Sequence, residues 1–208
     1  MLHLASDIAP KGHLLWNAGR TIAEYLEHHR AALIEEKTVL ELGAGAGLPS
    51  LVAALRGARA VVVTDYPDAD LIENLSANVE VNCADRENIH TEGYLWGADT
   101  TKLIDHLPAD ERTSGFDLLI LADLLFNHSE HGKLLASIKR TLKRTPKAQA
   151  LVFFTPYRPW LLEKDLAFFD LAKEGGFEVE KILEKTIDKV MFEEDPGVGR
   201  IVVTSLKG

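Results

Sequence analysis

The sequence predicts an α/β fold: a doubly wound, mostly parallel sheet of seven strands with an antiparallel final strand. Three observations carry this prediction. From about residue 37 onward, short apolar segments alternate with segments of helical periodicity, the pattern of parallel strands joined by right-handed crossovers and covered on both faces. The first apolar segment runs directly into a glycine-rich turn, GAGAG at 43–47. The last two strand-like segments have no full helix between them, which predicts a closing antiparallel pair.

Taken in order, residues 13–29 read as an amphipathic helix that carries Trp16, Ile22 and Leu26 and lies across the sheet. Thr38–Leu42 is the first strand. Residues 48–56 are helical, with Leu48, Leu51, Val52 and Leu55 on one face and Gly57 as the stop. The valines at 61–63 make residues 60–64 a strand buried on both faces. Leu71, Leu75, Asn78 and Val79 recur at helical spacing through 70–82. Residues 90–95 and 116–122 are the third and fourth strands, followed by a helix over 129–142. Residues 148–155 are the fifth strand, and the helix over 160–173 ends at Gly175 and Gly176. Residues 178–186 and 201–206 complete the set. Nothing in the pattern divides the chain by repeat, low-complexity tract or linker. It therefore reads as one domain over 1–208, with a helical segment at 1–36 and the sheet core at 37–208.

Composition limits the function classes. The 208 residues suit one domain of roughly 100–200 residues. Lys and Arg number 23 against 32 Asp and Glu, a net charge of −9, which argues against a general nucleic-acid binder because such proteins need a basic stripe. The single cysteine, Cys83, excludes an internal disulfide framework and a multi-thiolate zinc site. Asp123 interrupts the apolar run at 118–126, so no stretch reaches the ~20 residues of a membrane span. The N-terminal segment lacks a basic region and a long apolar core, which reads as no signal peptide. The expectation is a monomer in the cytoplasm, with no metal, no nucleic acid and no membrane among its partners.

The glycine turn is the most informative segment. It joins a buried strand to a helix opened by Pro49, where a missing N–H costs nothing. In an open α/β sheet such a turn lies at the carboxyl end of the central strand, where ligands bind. A dinucleotide fingerprint, G-x-G-x-x-G, requires glycine at 48 or 50, and the chain has Leu48 and Ser50. The pattern ELGAGAG instead sets an acid two residues before the first glycine. A second acid, Asp65, ends the next strand 22 residues after Gly43, and a carboxylate there can accept both hydroxyls of a ribose.

ELGAGAG resembles motif I of the S-adenosylmethionine-dependent methyltransferases. Further segments resemble the lysine-methyltransferase type of the seven-strand methyltransferases, which share a Rossmann-like class I fold. The likeness is nearest to the fungal branch once called nicotinamide N-methyltransferase-like. These segments are HLLWNAG at 13–19, TDYP at 64–67, YLWG at 94–97, LADLLFN at 121–127, TPYRP at 155–159 and MFEEDPG at 191–197. The resemblance implies that Trp16, Gly43, Ala44, Gly45, Asp65, Trp96 and Ala122 surround S-adenosylmethionine. Trp96, at the end of the third strand, would stack on adenine; the small Ala122 would leave room for the sulfonium; Trp16 would close the pocket. It also implies that Asp123 orients the acceptor amine, that Phe126 walls its channel and that Tyr157 adds a hydroxyl or ring. Asn127, Glu193 and Glu194 would meet a basic substrate tail. A loop hydrogen bond or helix cap is the plainer reading of Asp123.

Other constellations carry less. The chain has no G-x-S-x-G elbow and no Walker A loop. His128 and His131 read as an exposed helix start, and His90 likewise. Lys139, Arg140, Lys143, Arg144 and Lys147 gather at a helix C-terminus, where cations meet the helix dipole favourably.

Members of the resembling branch methylate the N-terminal amine and lysines of translation elongation factor 1-alpha, which makes that protein the expected substrate. The acceptor's protonation state matters. At pH ~7.5 a lysine costs about 4 kcal/mol to deprotonate, and an N-terminal amine well under 1 kcal/mol. Asp123 attracts a cationic amine and opposes its deprotonation, so it reads as a positioning group with proton loss to water. Two alternatives stand beside this reading: methylation of a nicotinamide-like amine, and a scaffold that binds S-adenosylmethionine without catalysis.

Overall fold

All five residues of β1 (Thr38–Leu42) are buried in the computed structural model, which describes residues 17–187 and 199–208. The reason is β1's central position. It pairs in parallel with β2 (Ala60–Asp65) on one side and with β4 (Leu118–Ala122) on the other. β3 (Ile89–Gly93) extends the sheet beyond β2, and β5 (Gln149–Phe154) extends it beyond β4, both in parallel. β7 (Gly199–Lys207) then inserts antiparallel between β5 and β6 (Glu178–Ile187), giving the order β3-β2-β1-β4-β5-β7-β6. The strand order reverses between β1 and β4. The crevice beyond their carboxyl ends is the topological switch point, where ligands bind in open α/β sheets.

Alternation along the strands assigns the two faces. Val39, Val61, Val63, Leu118, Ile120 and Phe153 pack toward one helical layer: α1 (Asn17–His28), α3 (Leu48–Leu55) and α4 (Ala69–Cys83). A single short helix, α2 (Arg30–Leu33), links α1 to β1. Leu40, Leu42, Leu119, Leu121, Val152 and Phe154 pack toward the other layer: α5 (Thr101–Asp105), α6 (His131–Thr141) and α7 (Leu162–Glu174). Ile22 and Leu26 of α1, four residues apart on one helix face, are fully buried. Each stabilises the docking of α1 by roughly 1.5–3 kcal/mol. No helix among the described residues is long and apolar enough to cross a membrane.

The doubly wound sheet and its antiparallel close match the expectation, and the boundaries differ in instructive ways. The third strand stops at Gly93 rather than 95, because Tyr94 turns inward to bond the Ser137 hydroxyl at 3.0 Å. The fourth strand begins at Leu118; Phe116 instead forms an isolated bridge to Leu142. The helix expected over 129–142 is a 3-10 turn at His128–Glu130 followed by α6, and that over 160–173 is a 3-10 turn at Pro159–Leu161 followed by α7. The long helix expected over 13–29 is described from Asn17 onward. Trp16, Glu193 and Glu194 lie outside the described residues.

Candidate functional site

The turn after β1 is built by its glycines and held by its neighbours. Gly43, Gly45 and Gly47 all have positive φ, the region that disfavours side chains with a Cβ. A Cβ on Gly43 would lie 2.6 Å from Leu124 Cδ2 and 3.3 Å from Trp96 Cζ2, so this glycine lets β1 meet the segments following β3 and β4. Three backbone donors of the turn are engaged. Ala44 N–H donates to the Thr64 carbonyl at 2.9 Å, Gly45 N–H to Asp65 Oδ2 at 2.6 Å, and Gly47 N–H to the Ala44 carbonyl at 2.9 Å. The Asn78 amide donates to the Ala46 carbonyl at 3.1 Å. Asp65, the last residue of β2, also accepts from Tyr66 N–H through Oδ1 at 2.6 Å.

Beneath the turn lies an acid that the site assignment from sequence left out. Glu41 is buried, and its Oε2 accepts from the Ser50 amide at 3.0 Å and the Ser50 hydroxyl at 2.5 Å, at the start of α3. Its Oε1 is buried with no hydrogen-bond partner among the described residues. Burial pushes the Glu41 carboxyl up to about 8, with the charge of Asp65 adding to the effect. The signal for it was the acid two residues before Gly43.

A second group of candidates meets beyond β4 and β5. Asp123 has φ +55° and is 7% exposed. Its Oδ1 accepts from the Thr155 amide at 2.7 Å. Its Oδ2 accepts from the Tyr157 hydroxyl at 2.9 Å and, at 3.4 Å, from the Thr155 hydroxyl and the Ala18 amide. The plainer reading of Asp123 is thus part of the answer: it ties together β4, β5 and the first turn of α1, where a carboxylate meets unpaired N–H groups favourably. Burial still raises its carboxyl to about 6, and burial together with the Asp123 charge raises the Tyr157 phenol. Asp123, Leu125, Phe126, Phe154, Thr155, Tyr157, Arg158 and Asp165 line a cleft of about 270 Å³ including its open mouth.

The structure therefore brings Asp123, Phe126 and Tyr157 into one cleft. It sets Gly43, Ala44, Gly45 and Asp65 into one pinned turn, with Trp96 against Gly43. Trp96 does not end β3; it comes three residues later and is half-buried. Ala122 is the last residue of β4, between the turn and the cleft. Phe126 is 58% exposed and forms the rim of the cleft. Asn127 is not among the cleft residues; its Oδ1 accepts from the Ser129 hydroxyl at 3.2 Å.

The histidines depart from the expectation of an exposed helix start. His131 is buried and its Nε2 donates to the Leu125 carbonyl at 2.9 Å, while burial lowers its basicity. His128 Nε2 meets Asp165 Oδ1 at 2.6 Å. His90 sits on β3 and stacks on His106 with ring centroids 4.4 Å apart. The basic cluster also divides. Arg140 donates to the Gly97 and Ala98 carbonyls, and Lys143, 8% exposed, pairs with Glu111 and Asp117. Among the described residues no group of three or more acids, histidines or cysteines is arranged to hold a metal.

The turn fits a ligand without phosphates. The amides of Ala44, Gly45 and Gly47 are engaged internally, which leaves few backbone donors in the turn for a phosphate. The Asp65 carboxylate at the end of β2 suits a ligand that carries hydroxyls.

Residues 5–175 match the model of a family described as lysine methyltransferase. The chain belongs to that family. It is 51% identical over 203 residues to the protein N-terminal and lysine N-methyltransferase efm7 of Neurospora crassa, covering 94% of this chain and 72% of that protein. It is 46% identical over 203 residues to the protein of the same name in Schizosaccharomyces pombe, covering 98% and 78%. Among solved structures, a putative RNA methyltransferase of Pyrococcus horikoshii superposes with a TM-score of 0.60 at 18% identity, over 98% of this chain and 92% of that one, a likeness of fold. This family member is an N-methyltransferase, and its cofactor is S-adenosylmethionine.

Proposed function

We propose that the enzyme methylates the N-terminal amine, a nearby lysine, or both, of translation elongation factor 1-alpha, as a cytoplasmic monomer. The observation that carries the protein-amine reading is the cleft beyond β4 and β5, lined by the buried carboxylates Asp123 and Asp165 beneath the exposed ring of Phe126. Buried acids favour a cationic amine, and an exposed aromatic rim suits a polypeptide. The names of the relatives, which specify N-terminal and lysine methylation, support the same acceptor class.

In this reading each part of the site has a separate task. Asp65 would accept the ribose hydroxyls, and Glu41, buried beneath the turn, fixes the start of α3 through Ser50. Gly43, Ala44 and Gly45 allow the aminoacyl end to approach the backbone, Trp96 lies against the adenine, and Ala122 leaves space at the reacting centre. Trp16 closes over the cofactor. When bound, S-adenosylmethionine supplies an electrophilic methyl group on a sulfonium, a good leaving group. The protein's share is alignment and exclusion of water. Asp123, fixed by Thr155, Tyr157 and Ala18, sets the field that orients the amine, and Phe126 bounds its path. Glu193 and Glu194 meet the basic flank of the substrate, and Asn127 borders its entry.

Radiolabelled methyl transfer from S-adenosylmethionine into a proteome lacking the endogenous enzyme tests this reading. Label on elongation factor 1-alpha is expected; label on nicotinamide, or on no protein, would refute it.

A further inference from the structure

The two carboxylates of the cleft differ in what they have left to offer. Asp123 is nearly saturated, since its oxygens accept four protein donors, from Thr155 twice, Tyr157 and Ala18. A carboxylate has about four acceptor positions, so little capacity remains for a substrate ammonium. Asp165, on α7, is just as deeply buried, at 6% exposure, and lines the same cleft. Its side chain has a single described partner, His128 Nε2 on Oδ1 at 2.6 Å. No described hydrogen bond reaches Oδ2. Arg158, the cation at the cleft mouth, donates to the Phe126 carbonyl at 3.1 Å and makes no ion pair with Asp165 among the described residues.

Asp165 Oδ2 is not among the side-chain atoms sealed from solvent without a partner, so its open acceptor capacity is on the cleft that Asp165 lines rather than in the packed core. We infer that Asp165 Oδ2 is the direct acceptor for the substrate ammonium, and that His128 is a positioning residue that holds Asp165 toward the cleft. This rests on the protein-amine reading above and adds a residue to it. Asp123 fixes the frame of the cleft, and Asp165 makes the contact. His128 restrains the carboxylate through Oδ1, which leaves Oδ2 as the acceptor. His128 in turn packs edge-on to His131, with ring centroids 5.6 Å apart, and His131 is anchored on the Leu125 carbonyl. The carboxylate is therefore held through two side chains that rest on the backbone after β4. This arrangement orders the acceptor before substrate arrives, which lowers the cost of binding.

Steady-state kinetics on a peptide that copies the N-terminal segment of elongation factor 1-alpha test the assignment. Asp165→Asn keeps the size of the side chain and an oxygen for His128 but removes the charge. It should raise KM for the peptide by about tenfold to a hundredfold, with kcat and the KM for S-adenosylmethionine within about twofold of wild type. His128→Ala should raise the peptide KM as well. His128→Gln, which retains an N–H donor, should restore most of the loss, whereas a requirement for the imidazole ring itself would leave it uncorrected and overturn the positioning role. An unchanged peptide KM in Asp165→Asn, with wild-type methylation intact, would overturn the assignment and leave the proposed function standing. Failure of the wild type to methylate the peptide and elongation factor 1-alpha alike would remove the amine acceptor, and this inference with it.

Discussion

The Oδ2 atom of Asp65 accepts a 2.6 Å hydrogen bond from the Gly45 amide, so the acid that closes β2 holds the turn that follows β1. One residue thus links the two strand ends that face the cofactor crevice. Replacing Asp65 with Ala is predicted to weaken S-adenosylmethionine binding at least about a hundredfold, because two charge-assisted contacts to the ribose are lost. The loss of stability should be smaller, about 1–2 kcal/mol, since Asp65 is only partly buried. Calorimetry on the folded variant checks this; unchanged affinity would remove Asp65 from the ribose.

Glu41 makes the stability of the ligand-free protein fall as pH rises from about 4 to about 8. Its folded-state value of about 8 lies above the ordinary carboxyl range, so the native chain retains a proton that the unfolded chain releases above about pH 4.3. The stabilisation is full below that pH and is lost as pH rises through about 8. Glu41→Gln removes the titration, and its stability relative to wild type should rise across this window by an amount on the order of a few kcal/mol. His90 and His131, whose basicity is lowered by burial, act in the opposite direction at acid pH but are common to both proteins. Denaturant titrations from pH 5 to 9, values set by the roughly 4–8 window, should diverge; parallel curves would contradict the burial account.

Tyr157→Phe deletes one donor to Asp123 and leaves the ring in place. A hydrogen bond to a charged, buried acceptor predicts a stability cost of about 1–2 kcal/mol and a fall in kcat of about tenfold. Denaturation and single-turnover kinetics measure the two separately. An unchanged kcat would detach Asp123 from the reaction.

Much of this was legible in the sequence because it is local. GAGAG and the valines before Asp65 sit within single strand–turn units, and the short apolar run at 38–42 marks a strand buried on both faces. What was not legible depends on long-range packing. His128 and Asp165 are 37 residues apart, and only the packing of α7 beside the turn after β4 makes them partners, so His128 reads as an exposed histidine in isolation. The same holds for Asp123 and Ala18, separated by 105 residues. Trp96 was misplaced at a strand end because the run at 90–95 continues past Gly93, although Tyr94 has already turned into the core.

The opposite end of the sheet supplies a control. Lys143 Nζ sits 2.7 Å from Glu111 Oε2 and 2.9 Å from Asp117 Oδ1, and Asp117 also accepts from Thr38 at the start of β1. Lys143→Met should cost about 1–3 kcal/mol by removing the cation that the partly buried Glu111 and Asp117 share. Affinity for S-adenosylmethionine below the melting transition should be unchanged, because the cofactor crevice lies at the carboxyl ends of the strands. Loss of affinity in a folded variant would show that the two ends are coupled.

The central claim is that this fold transfers a methyl group to a protein amine held in the cleft beyond β4 and β5. Tandem mass spectrometry of purified, unmethylated elongation factor 1-alpha, after incubation with the enzyme and S-adenosylmethionine, tests it most directly. The account predicts methylation at the N-terminal amine or a nearby lysine, abolished by Asp65→Ala. An elongation factor recovered unmodified, or methyl groups spread over lysines remote from its N-terminus, would contradict it.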